Sequence, residues 1–148
     1  MNAEVIERET LIEAPLERVW TLVAEPGFWV ADEENLTGNP GQVGDSVIAR
    51  SAKWGEFPVR VEKVQPPTYV AYRWASAFGG DTVSEDNSTL VEFTLIAEGD
   101  KTRLRVVESG FEALACSGER RTQAFESNTQ GWPQVLDGVR SRIEASSV

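Results

Sequence analysis

The stretch Gln130-Gly-Trp-Pro-Gln-Val-Leu-Asp-Gly-Val-Arg-Ser-Arg-Ile-Glu-Ala-Ser146 decides the fold. Trp132, Val135, Leu136, Val139 and Ile143 recur at i, i+3, i+4, i+7 and i+11. That spacing is one apolar stripe on an α-helix. Gln134, Asp137, Arg140, Ser141, Arg142 and Glu144 fill the other face. Pro133 suits a first helical turn, where a missing N–H costs least. The helix is about 25 Å long at 1.5 Å per residue. Almost everything before it reads as β-strand. A lone amphipathic helix beside a run of strands buries its stripe on the concave face of a sheet.

Working back along the chain, Thr102 to Ser109 alternates Leu104, Val106 and Glu108 against Arg103, Arg105 and Val107. Ser88 to Ala97 alternates Val91, Phe93 and Leu95 against Glu92 and Thr94, and Glu98-Gly99-Asp100 joins the two as a tight turn. Tyr69 to Ala75 alternates Val70, Tyr72 and Trp74 against Ala71 and Arg73. Phe57 to Val64 and Ser46 to Ser51 complete an antiparallel meander. The register of Phe57 to Val64, and so the facing of Arg60, stays open, because a bulge would reverse it. Val5 to Ile12 is a further half-buried strand. Leu16, Val19, Trp20 and Val23 mark a short helix from Pro15 to Ala24, stopped by Pro26-Gly27. Phe28, Trp29 and Val30 begin a second short helix, and the stretch from Ala31 to Gly44 is a loop. A helix from about Glu119 runs into the terminal helix, with a kink expected near Pro133.

Composition narrows the function. With 148 residues and no linker, one domain over 1–148 is expected. The net charge of −10 argues against nucleic acid and anionic membrane as partners. One cysteine, Cys116, permits no intrachain disulfide. That suits a reducing compartment, and the expectation is a soluble cytoplasmic protein. The start of the chain lacks a signal-peptide pattern, and no apolar run approaches the roughly 20 residues of a membrane span. There is no histidine, which removes the commonest general base and transition-metal ligand. No metal and no cofactor is expected.

The order of segments resembles the START-like (SRPBCC, birch-pollen-allergen-like) superfamily. Within it, the chain is similar to the family named for the C-terminal domain of the activator of the heat-shock protein 90 ATPase. The matching segments begin with Ile12-Glu-Ala-Pro-Leu-Glu-Arg-Val-Trp20, Gly41-Gln-Val-Gly44, and Pro66-Pro67 ahead of Tyr72-Arg73-Trp74. They continue with Val91-Glu-Phe93, Thr102-Arg-Leu104, Glu108-Ser-Gly-Phe111, and Gly131-Trp132 with Val135-Leu136-Asp137. The resemblance implies an α+β helix-grip fold. A curved antiparallel sheet wraps a long C-terminal helix, two short helices follow the first strand, and a cavity lies between sheet and helix.

Three functions compete. The first is a binding module for a small hydrophobic, lipid-like molecule. Alternation puts Tyr72, Trp74, Phe93, Val106 and Glu108 on one face. With Trp20, Trp29, Trp54, Trp132 and Leu136 they form the candidate lining, since ligand pockets are often aromatic. Ordinary cores are also built from aromatics. The second is a polyketide cyclase or aromatase type of enzyme, a class the superfamily contains. It needs an acid/base pair, and Glu108 with Tyr72 is the pair available. The bland alternative has the strand ending by Val107 and Glu108 solvated or paired with an arginine. The third is a chaperone-interacting protein, which rests on family resemblance alone. A homodimer is compatible with all three. In the terminal helix, Val139 and Ile143 are expected to seal the core, and Trp132, Val135 and Leu136 to roof the cavity.

Overall fold

A computed structural model describes residues 5–37, 40–53, 55–75, 87–111, 114 and 117–145. Trp54, Cys116 and most of the loop between residues 77 and 87 lie outside the described residues. Strand β1 is Ile6–Ile12, helix α1 Leu16–Val23, β2 Ser46–Ser51, β3 Gly55–Gln65, β4 Tyr69–Trp74, β5 Thr89–Glu98, β6 Lys101–Ser109 and helix α2 Gly118–Ala145. Among the described residues the strands form one antiparallel, curved, open sheet in the order β1-β6-β5-β4-β3-β2. The β2–β3, β3–β4 and β5–β6 pairs follow from short connections, which can only join antiparallel neighbours. Strand β1 closes the far side, with Ile6 opposite Glu108 and Ile12 opposite Thr102. The fold is therefore the expected α+β helix-grip arrangement.

Period-two alternation builds the inner face. Val59, Val61, Val70, Tyr72, Trp74, Val91, Phe93, Leu95, Leu104 and Val106 are all buried. Helix α2 lays Trp132, Leu136, Val139 and Ile143 onto that core. Burying a large apolar side chain contributes about 1.5–3 kcal/mol, so this stripe dominates the docking of α2. The backbone N–H of Glu13, just past β1, donates to Glu144 Oε2 at 3.0 Å and ties the last turn of α2 to the sheet.

One local feature differs from expectation, and another settles a register left open. The second short helix expected from Phe28 is a series of turns through residues 24–30, followed by a single 3-10 turn at Glu33–Asn35. Gly27 causes this. Its φ of +79° turns the chain sharply, and its α-carbon lies so close to β2 that an added Cβ would meet the Ala49 Cβ at 2.6 Å. The close approach presses Phe28 and Trp29 into the core. The other feature is in β3, where the pairing shifts between Val61 and Lys63. Glu62 is the extra residue of a bulge, which leaves Val61 opposite Tyr72 and Val64 opposite Val70. Arg60 stands opposite Arg73, and neither is buried. Like charges across a pair destabilise a sheet. Glu62 offsets this, 2.7 Å from Arg60 and 3.6 Å from Arg73.

Helix α2 runs without interruption across Pro133. Its buried residues all lie from Trp132 onward, and the half from Gly118 to Gly131 buries none fully. No helix among the described residues is long and apolar enough to cross a membrane.

Candidate functional site

The site is built around Glu108, the penultimate residue of β6. The strand does not end at Val107, as the bland reading had it. Pairing continues through Glu108 opposite Val91 and Ser109 opposite Leu90. Alternation therefore turns the Glu108 side chain inward with Val106 and Leu104, and it is fully buried. Four neutral side chains from three elements meet it. Trp74 Nε1 on β4 donates to Oε2 at 2.8 Å, and Thr89 Oγ1 on β5 donates to the same oxygen at 2.6 Å. From α2, Trp132 Nε1 donates to Oε1 at 2.8 Å and Asn128 Nδ2 reaches both oxygens at 3.1 Å.

Burial pushes the Glu108 carboxyl above the usual carboxylate range. The bonds from Thr89, Trp132, Trp74 and Asn128 pull the other way without overcoming it. No charged side chain among the described residues acts on this carboxylate. Of its four partners the two indoles can only donate, whereas the Thr89 hydroxyl and the Asn128 amide each carry an oxygen that is able to accept.

Around the carboxylate the aromatic rings pack on each other. Trp29 lies 5.3 Å from Trp74, 5.3 Å from Tyr72, 5.5 Å from Phe93 and 6.2 Å from Trp132, ring centre to ring centre. Trp74 and Trp132 are 6.4 Å apart. These rings fill most of the space where a cavity was expected. The described residues leave there a cleft of about 60 Å³, lined by Trp29, Val30, Trp74, Asn128, Gly131, Trp132 and Val135. Ligand pockets are typically about 300–1,000 Å³, so the cleft as it stands takes a headgroup or a few waters. The Trp29 Nε1 is buried without a hydrogen-bond partner among the described residues. An orphan indole N–H of this kind costs about 1–3 kcal/mol.

The structure thus brings together Trp29, Tyr72, Trp74, Phe93, Glu108 and Trp132 from the sequence-based lining. Val106 and Leu136 are buried beside them as core. Trp20 is half-buried on α1 and makes no ring contact with the cluster among the described residues. Trp54 lies outside the described residues. The proposed Glu108–Tyr72 pair does not meet. The Tyr72 hydroxyl donates instead to the Val23 carbonyl at 2.6 Å. Burial and then the nearby Glu25 charge push its pKa well up.

Thr89 and Asn128 were missed, and both left signals. Thr89 precedes Val91 and Phe93 by even steps, and Asn128 lies one turn before Trp132. A second recess, about 420 Å³, opens between the 24–41 connection and β2, where Glu25 and Thr37 face Val47, Ala49 and Arg50. It shares no residue with the expected lining. Among the described residues no three of His, Cys, Asp or Glu gather to hold a metal.

Fold and site define a helix-grip domain with a buried, neutral-bonded acid under its long helix. The family model described as Activator of Hsp90 ATPase homolog 1-like protein matches residues 13–144, and the chain belongs to that family. Comparison with curated proteins by sequence gave no match. Solved structures are similar in fold. A crystal structure of a Mesorhizobium loti protein is 20% identical, covering 97% of this chain and 99% of that one, with a TM-score of 0.72. DynU16, a protein in the dynemicin biosynthetic locus, is 20% identical with a TM-score of 0.67, and 98% of this chain matches 48% of it. The Aha1 dimer from Colwellia psychrerythraea is 16% identical, with 97% and 98% covered and a TM-score of 0.66.

Proposed function

We propose that this domain binds a small, largely apolar molecule between α2 and the concave face of the sheet, with the Glu108 cluster as its polar end. The observation that carries the reading is the Glu108 carboxylate, fully buried and held by four side chains. Burying an acid works against stability unless something is gained, and a site that orients a ligand is such a gain.

Entry requires α2 to move. Its first half, through Gly131, is lightly packed, which is where local opening concentrates. Pro133 lacks the N–H that would bond the Thr129 carbonyl, so the helix is weakest where the lightly packed half meets the anchored half. Lifting residues 118–131 enlarges the cleft between Trp29, Trp74 and Trp132.

The test is a titration of the purified protein with a broad panel of lipophilic molecules, read by tryptophan fluorescence and amide hydrogen exchange. Binding quenches or shifts the emission and slows exchange across 118–131. A panel that changes neither overturns the reading.

A second reading, catalysis of the cyclase type, is favoured by one observation. Burial holds Glu108 above the usual carboxylate range, as a general acid requires. Full turnover of a candidate substrate by Glu108→Gln would sink it. Self-association and stimulation of a chaperone ATPase are parallel proposals prompted by the family match and the dimeric relative. Sedimentation and an ATPase assay decide them.

A further inference from the structure

Taking the space under α2 as a ligand site, we infer that the cleft walled by Trp29, Trp74 and Trp132 receives the ammonium head of a small organic cation, with the Glu108 carboxylate behind the indoles as its counter-charge. If the ligand site itself fails, this inference fails with it. The experiment below separates the two failures.

Charge is the first argument. Glu108 is fully buried, its four hydrogen-bond partners are neutral, and no cation among the described residues acts on it. Buried charges are ordinarily paired. The cleft is lined by Trp74, Asn128 and Trp132, three of the four side chains that donate to the carboxylate. A cation placed there stands one side chain away from the acid in a low-dielectric setting, where attraction is strong. Burial alone favours the neutral acid, so a cation in the cleft would draw Glu108 to its ionised form, a neutral head would not, and an anion would oppose it.

The indoles are the second argument. A cation over a Trp face is attracted by the ring quadrupole, most strongly when desolvated. Trp74 and Trp132 each donate N–H to Glu108 at 2.8 Å. Donation to an anion pushes electron density into the ring and deepens that attraction. The third indole, Trp29, adds a different demand. Its N–H is buried without an acceptor among the described residues, and Trp29 borders the cleft. An oxygen carried near the ammonium group satisfies it. An amino alcohol has both features.

Size and field agree with this. The cleft of about 60 Å³ takes a headgroup rather than a whole ligand. The net charge of −10 raises the local concentration of cations and speeds their arrival.

The experiment uses the full chain at fixed ionic strength. Ethanolamine and choline are titrated against their neutral carbon isosteres: propanol, and the alcohol in which a tert-butyl group replaces trimethylammonium. Tryptophan fluorescence and calorimetry report binding. The expected result is at least tenfold tighter binding of the ammonium member of either pair. Glu108→Gln removes that preference. Trp29→Phe keeps the preference but weakens both members of a pair alike, because the acceptor loses its donor. Equal binding of cation and isostere overturns the cation inference and leaves the apolar-ligand reading standing. No binding of either pair, with quenching by the lipophilic panel, does the same. Preference retained in a folded Glu108→Gln protein overturns the role given to the acid. The comparison of isosteres in the unaltered protein stands even if a variant fails to fold.

Discussion

Trp132 of α2 donates its indole N–H to Glu108 of β6 at 2.8 Å, with both side chains buried. This bond joins the helix to the sheet at the boundary between the anchored and lightly packed halves of α2. Trp132→Phe keeps an aromatic body but removes the donor. A hydrogen bond to a charged group is worth about 1.5–3 kcal/mol, and the smaller ring adds a packing loss. Urea denaturation is expected to show a loss of about 2–4 kcal/mol. A loss below about 0.5 kcal/mol would mean that the bond contributes little to docking the helix.

Glu108 makes stability depend on pH. Its carboxyl is raised in the folded protein by burial, above an unfolded value of about 4.3. The native state therefore binds the proton more tightly than the unfolded chain. The stability contributed by the neutral acid is complete below the unfolded pKa and is lost as pH rises through the folded one. The side chains opposite or bonded to it are Ile6, Val91, Trp74, Thr89, Asn128 and Trp132, none of which titrates in that window. Glu108→Gln removes the slope. At about pH 4 the variant is expected to be less stable by about 1–3 kcal/mol, because its amide nitrogen faces donors. The gap narrows as pH rises. Denaturation of both proteins from acid to neutral pH checks this, and a constant gap would place Glu108 in the ordinary range.

The sheet and the terminal helix were legible because period-two and period-3.6 patterns are set by burial, which the sequence records directly. Glu108 was legible only as an even step past Leu104 and Val106, and where a strand ends is not written in alternation. The pairing of Ile6 with Glu108 and of Leu90 with Ser109 extended β6 far enough to bury it. The facing of Arg60 needed the bulge at Glu62, which no residue pattern announces. The filled interior was also hidden. Which face an aromatic occupies follows from sequence, but whether neighbouring rings close on one another depends on the spacing of α2 and the sheet. Trp29 shows this, since its place among five other rings follows from the turn at Gly27.

That turn gives a sharp test. Gly27 has φ of +79°, and a Cβ would lie 2.6 Å from the Ala49 Cβ. Gly27→Ala therefore combines a left-handed conformation, costing about 1–2 kcal/mol, with overpacking against β2, costing about 1–3 kcal/mol. Thermal unfolding should show a clearly lowered midpoint, and the Trp29 emission should shift as the ring loses its seat. An unchanged midpoint would show that the chain relaxes away from Ala49 at no cost.

Tyr72 separates structure from chemistry. Its hydroxyl is buried and bonded to the Val23 carbonyl at 2.6 Å, which anchors the end of α1 to β4. Tyr72→Phe leaves that carbonyl without its donor and is expected to cost about 1–2 kcal/mol in urea denaturation. Ligand affinity should be unchanged in the same protein. Affinity lost without stability lost would return Tyr72 to the ligand-contacting set.

Pro133 tests whether α2 opens. The side chain is exposed, so Pro133→Ala changes little packing. It supplies an N–H to the Thr129 carbonyl and removes a residue roughly 3 kcal/mol less favourable than alanine in a helix interior. Part of that is offset by the greater freedom of the unfolded chain. The variant is expected to be more stable by about 1–2 kcal/mol. Amide exchange should slow across 118–131, and any ligand that enters beneath this half should bind and leave more slowly. Slower exchange with unchanged ligand kinetics would show that the ligand passes elsewhere, and the recess beside β2, near Glu25 and Arg50, would become the route to examine.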